Sequence, residues 1–260
     1  MKFIVIVAAA AVAALSIQAH AGRSCQVKKA NARTIERGLN LAERTMAGLD
    51  ASGAKVVLLA RAGQDLSKYG VRYSHLGFAY RQASPDGAGT VWRVVHKLNQ
   101  CGTADSAIYR QGLGEFFLDD LWRYEAAWVV PSRELQDKLL PLLQDDARAT
   151  ALHHQPYNIM SYAWGRRYQQ SNQWAIETMA GAMQSGPPSR GSAQAWLQAA
   201  GYEPATLRLG PLTRLGARAS AANVAFDDHP NEKRFSDSIE TVTVDSMFQW
   251  LSASAGAQRR

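Results

Sequence analysis

The chain has 260 residues, with 29 basic and 22 acidic side chains and a net charge of +7. That length suits one large domain or one and a half small ones. The basic residues are scattered rather than gathered on a stripe, so no nucleic-acid partner is expected.

Residues 1–21 open with Lys2, run almost wholly apolar from 3 to 17, and end in Ala19-His20-Ala21. This is the pattern of a cleavable secretory signal peptide, with cleavage expected after Ala21. No later segment approaches the roughly 18 to 20 consecutive apolar residues of a membrane span. The expected mature chain is therefore periplasmic or secreted, without a transmembrane segment. In an oxidising compartment an even pair of cysteines tends to bridge, so a Cys25–Cys101 disulfide is expected rather than a reactive thiol. Cys25 lies in a polar tail and Cys101 in a glycine-containing turn, and neither begins a helix, where a thiolate would be favoured.

Residues 31–49 carry Ile35, Leu39, Ala42, Met46 and Leu49 near helical spacing and predict an amphipathic helix. Lys55 to Arg61 is a short apolar run, typical of a buried strand. A polar loop leads to a second strand at 74–82. Ser84-Pro85-Asp86-Gly87 is a turn, because Pro fixes φ and Gly permits positive φ. A third strand follows at 90–99. Residues 108–122 read as a loop and short helix, and a strand is expected at 125–130. Helices are expected at 132–148, 172–184 and 192–200. Beyond 201 the pattern is broken by Pro204, Gly210 and Pro211, and 217–236 reads as a surface loop. A last strand is expected at 241–244, then a helix at 245–252 and a frayed tail. Strands flanked by helices without a βαβ rhythm give an α+β domain. Its expected limits are 22–200, with 201–260 as a C-terminal extension packed on it or peripheral to it.

In the second strand, His75, Gly77 and Ala79 share one face and Leu76, Phe78 and Tyr80 the other. If Arg81 pairs with Thr90, His96 stands opposite His75 on the same face. Two imidazoles in contact divide labour, one as base and the other orienting it. The candidate nucleophile is Ser171, directly before a helical run, where the positive end of the helix dipole favours an oxyanion. The plainer alternatives are that Ser171 is a helix N-cap and that the strand histidines are structural. His153-His154 reads as surface, and Asp119-Asp120 and Asp145-Asp146 as solvated charge. Chemistry that needs a cofactor leaves a fingerprint, and there is no GxGxxG, no phosphate-binding loop and no metal set. No cofactor and no metal are expected.

The segments KVVLLARAG, YSHLGFAYR, VWRVVHKLN and YQQSNQW, in that order, resemble an exported bacterial family of unknown function. That family is similar to the circularly permuted papain-like superfamily, with its NlpC-type cell-wall peptidases and lecithin:retinol-acyltransferase-like relatives. The resemblance spans about residues 50–185, and its most specific part is Ser74-His75-Leu76-Gly77 followed by Val94-Val95-His96. It implies an antiparallel sheet packed against helices, His75 as catalytic base, His96 as orienting group and position 171 as nucleophile. Two departures stand out: Ser171 replaces the superfamily's cysteine, and Lys55 stands where an acidic residue is usual. Tyr168, Asn172, Gln173 and Trp174 would shape the substrate site. The function implied is hydrolysis of an amide or acyl bond in the cell envelope, on a peptidoglycan peptide or a lipid acyl group. The alternative is a catalytically inactive module that binds such a ligand.

Overall fold

The computed structural model describes residues 31–84, 86–87, 89–254 and 258–259. The expected signal peptide, Cys25 with its bridge to Cys101, and Pro85 of the expected turn lie outside the described residues. Among the described residues no helix is long and apolar enough to cross a membrane.

The chain is α+β. Helix α1 (Ala32–Ala51) starts at Asn31, whose side chain accepts the Thr34 N–H at 2.9 Å while the Thr34 hydroxyl receives the Asn31 N–H at 3.1 Å. This reciprocal cap satisfies two donors that a helix start leaves open. Its buried stripe is Gly38, Leu41, Ala42, Thr45 and Leu49, so Ile35, Leu39 and Met46 face outward, against expectation. Gly38 explains the rotation: a Cβ there would lie 3.0 Å from the Phe117 carbonyl oxygen, so the glycine lets the neighbouring segment press in.

Strands β1 (Val56–Ala62), β2 (His75–Ala83), β3 (Thr90–Asn99), β4 (Ser106–Gly112) and β5 (Arg123–Val130) form the main sheet. A two-residue strand β8 (Gln258–Arg259) completes it on the edge of β5, so part of the expected frayed tail is paired. The order is β4-β3-β2-β1-β5-β8, antiparallel throughout. Strand β4 is the main addition to the expected plan. It is an edge strand with polar Arg110 and Gln111 and a partly exposed Tyr109, so it lacks the apolar run by which a buried strand is recognised.

Both faces of the sheet are covered. On one face Leu76, Phe78, Tyr80 and Val95 pack against helix α3 (Arg133–Leu143), helix α5 (Ser171–Ala182), helix α6 (Arg190–Ala199) and helix α9 (Val244–Ser254). Trp174 is fully buried there, its ring 5.7 Å from Phe78 in an edge-on arrangement. On the other face Val57, Leu59, Ala79, Trp92 and Val94 pack against α1 and the short helix α2 (Leu113–Phe117). The expected helix 132–148 is two helices, α3 and α4 (Asp146–Thr150), because Asp145 caps a new start by accepting the Arg148 N–H at 3.1 Å.

The irregular stretch expected after 201 is more ordered than its prolines suggested. Strands β6 (Ala205–Arg208) and β7 (Ser238–Thr241) pair, helix α7 (Pro211–Ser220) uses Pro211 in its first turn, and α8 (Asn231–Arg234) is a single turn. Proline is tolerated at that position because the N–H it lacks would have no helical partner. Strand β7 takes residues 238–241 rather than 241–244.

Candidate functional site

His75 is the first residue of β2, and its Nε2 lies 2.8 Å from His96 Nδ1. The pairing geometry differs from expectation. Arg81 pairs with Trp92 and Ala83 with Thr90, two residues from the expected register. A two-residue slip keeps every side chain on its face, whereas a one-residue slip would have reversed them. The histidines therefore meet diagonally rather than directly across. Continuing the register sets Gly77 opposite His96, and a Cβ on Gly77 would lie 2.9 Å from the His96 Cβ and 2.7 Å from Val94 Cγ1. The glycine makes room for the imidazole.

The chain of contacts runs on. His96 Nε2 is 2.8 Å from Gln111 Oε1 on β4. A carboxamide oxygen only accepts, so His96 carries its proton on Nε2 and presents Nδ1 as acceptor. His75 then donates from Nε2. Phe116 of α2 roofs the pair, with ring centroids 5.2 Å from His96 and 6.0 Å from His75. Arg61, paired with His75 across β1, donates to the Phe116 carbonyl and forms an ion pair with Asp119. Asp119 thus neutralises a buried guanidinium and is not a solvated charge. Burial, and then the Arg61 charge, pushes the His96 pKa down to about 4. His96 is a neutral acceptor at ordinary pH.

Ser171 does not join them. It is the first residue of α5, and Gln170 before it is the cap, accepting the Asn172 N–H at 3.1 Å. The Ser171 hydroxyl donates to the Lys97 carbonyl at 2.7 Å and lies 3.4 Å from the buried Tyr157 hydroxyl. It is on the α5 face, while the histidines sit under α2 on the opposite face. The expected convergence fails because α5 packs on the even-numbered side chains of β2, and His75 is odd.

The other expected site residues divide in the same way. Trp174 is core. Gln173 is buried, its amide donating to the carbonyls of Tyr162, Ala163 and Gly165 while its oxygen accepts from Ser161. The Tyr168 hydroxyl points to Asp227. Asn172 differs: it is 5% exposed, and its Oδ1 has no hydrogen-bond partner among the described residues. A buried carboxamide acceptor left unpaired costs about 1–3 kcal/mol. Asn172 lines a cavity of about 60 Å³ whose walls include Leu66, Tyr69, Val71, Met160, Leu207 and Val242. Part of that wall, Leu207 and residues 241–243, comes from beyond residue 201, a segment without a recognisable motif, so the sequence flagged Asn172 but not its surroundings.

A second buried polar cluster lies behind α5. Lys97 Nζ donates to Gln169 Oε1 and to the His154 carbonyl, each at 2.7 Å, and burial followed by the Arg190 charge lowers its pKa to about 6. A neutral amine has two N–H donors, and two acceptors meet it. Glu177 accepts from Gln169, Gln194 and, through two contacts, Arg190. His153 and His154 are partly buried here rather than on the surface, bonded through Nε2 to the carbonyls of Ser106 and Arg167. The described residues contain no group of three or more His, Cys, Asp or Glu side chains placed to hold a metal ion.

Residues 48–251 match the family model described as an uncharacterized protein conserved in bacteria, DUF2145. Comparison with curated proteins and with solved structures gives no match.

Proposed function

The chain belongs to the DUF2145 family of bacterial proteins, and from that premise we propose that it is a ligand-binding module of the cell envelope, not a hydrolase with Ser171 as nucleophile. The papain-like relationship is part of the proposal. It is supported by Ser74-His75-Leu76-Gly77 with His96 on the next strand, in the order that resemblance implies. The observation that carries the binding reading is the unpartnered Asn172 Oδ1 in the first turn of helix α5, on a residue that lines a mostly apolar cavity. Such a site takes a group that is apolar at its end and carries an N–H or O–H for Asn172 Oδ1. The amide of an envelope peptide or of an acylated amine has that chemistry. The Ser171 hydroxyl, engaged with the Lys97 carbonyl, is not presented to a base.

Two measurements test this. Small molecules extracted from the natively purified chain should include a compound absent from the Asn172→Leu variant. Identical extracts remove the binding reading. A fluorophosphonate ester probe should leave wild type and Ser171→Ala equally unlabelled. Labelling of Ser171 that His75→Ala abolishes would restore the hydrolase.

A further inference from the structure

Helix α7 is amphipathic in the inverted sense. Its arginine Arg214 is 8% exposed, whereas Leu212 and Leu215 are 84% and 67% exposed. Residues three apart in a helix share a face, so the two leucines form one apolar ridge turned outward. A surface helix ordinarily turns such a ridge inward. The inward side is occupied by the Arg214 guanidinium, which donates to the Leu209 carbonyl at 2.8 Å and to the Arg234 carbonyl at 2.7 Å. Those bonds fix the helix, orient the leucines and tie α7 to α8. Directly after α8 comes Phe235, 78% exposed. These are the three most exposed large apolar side chains among the described residues, and all lie in one segment.

The charge around α7 has one sign, whereas Phe235 stands beside exposed Glu232 and Asp237 as well as Lys233 and Arg234. Between Pro204 and Phe226 the chain has three arginines, Arg208, Arg214 and Arg218, and no acidic residue. Arg208 and Arg218 are exposed. An outward apolar ridge flanked by arginines matches a surface that is apolar below and anionic above. A second copy stacked α7 on α7 would bring like charges together.

We propose that α7 docks the protein on an anionic lipid surface, with Leu212 and Leu215 entering the acyl boundary and Arg208 and Arg218 meeting lipid phosphates. This inference does not use the Asn172 cavity and stands or falls separately from it.

Co-sedimentation of the full chain with lipid vesicles tests the proposal. Vesicles of phosphatidylcholine with about 30% phosphatidylglycerol should bind it roughly tenfold more than phosphatidylcholine alone, and binding should weaken as salt rises from about 0.1 to 0.5 M. Leu212→Gln with Leu215→Gln should lower binding about tenfold, Leu215→Phe should retain it, and Arg218→Glu should lower it severalfold. All three sites are exposed, so thermal melting should be unchanged, and Arg218→Glu provides an independent arm if the double variant melts early. The proposal is overturned if anionic vesicles are not preferred, or if Arg218→Glu and the folded double variant bind like wild type. It is also overturned if light scattering shows a dimer that the leucine substitutions abolish.

Discussion

Gly77 shows how much one missing Cβ supports. The imidazole of His96 occupies the space that a side chain on β2 would fill, and that lets His96 reach His75 and Gln111 at once. In Gly77→Ala the new methyl would approach Val94 Cγ1 to 2.7 Å and the Val95 carbonyl oxygen to 3.1 Å. Neither partner is the far end of a flexible chain, so β3 must move. Overpacking of this kind costs about 1–3 kcal/mol, and urea unfolding should show a loss of that size. The movement also parts the imidazoles, so the His96 ring protons should shift in the NMR spectrum. An unchanged midpoint with unchanged His96 resonances would mean that the pair does not depend on this contact.

At the scale of elements, helix α5 is held by polar bonds as much as by its apolar side chains. Gln170 caps it and donates to Thr241 and Val242, while Glu177 fastens α6 through Arg190 and Gln194. Glu177 is fully buried, and its Arg190 partner nearly so. Removing one member of such a pair leaves an uncompensated charge and costs about 3–5 kcal/mol. Glu177→Leu should lose stability on that scale in chemical denaturation, and joint replacement with Arg190→Met should recover much of the loss. A loss below about 1 kcal/mol would show that water reaches the cluster. The same elements show what the sequence reveals. Strands β1, β2 and β3 were legible because their apolar runs are long enough to be buried on both faces, and β5 because its run ends at Pro131. Strands β4 and β6 were not, and β7 was expected three residues late, since edge strands and small sheets need little apolar content. The contact between His75 and His96 was legible because strand parity survives a two-residue slip. The position of Ser171 was not, because nothing local decides which face of a sheet a distant helix will cover.

Across the whole molecule, basic groups held neutral in the interior make stability depend on pH in a definite direction. His96 and His153 have pKa values pushed down to about 4 from 6.5, both chiefly by burial, and Lys97 is pushed down to about 6 from 10.5. In the window from about 4 to 6.5 the unfolded chain holds protons on two histidines that the folded chain releases. Stability therefore rises with pH through that window. Lys97 acts in the same direction from about 6 to 10.5, where the unfolded amine is protonated and the buried one is not. Carboxylates contribute mainly below this range, so the slope between pH 6.5 and 9 belongs chiefly to Lys97. Lys97→Met removes the titrating amine, and the gain in melting temperature between pH 6.5 and 9 should shrink markedly. His96→Gln should lessen the slope between pH 4.5 and 6.5, with the His153 share remaining, while leaving the upper window unchanged. If both variants kept the wild-type profile, the two basic groups would have to be hydrated and charged in the folded protein. The sheet would then be open to water at β3 on both faces, which the packing of α2 and α5 against it opposes.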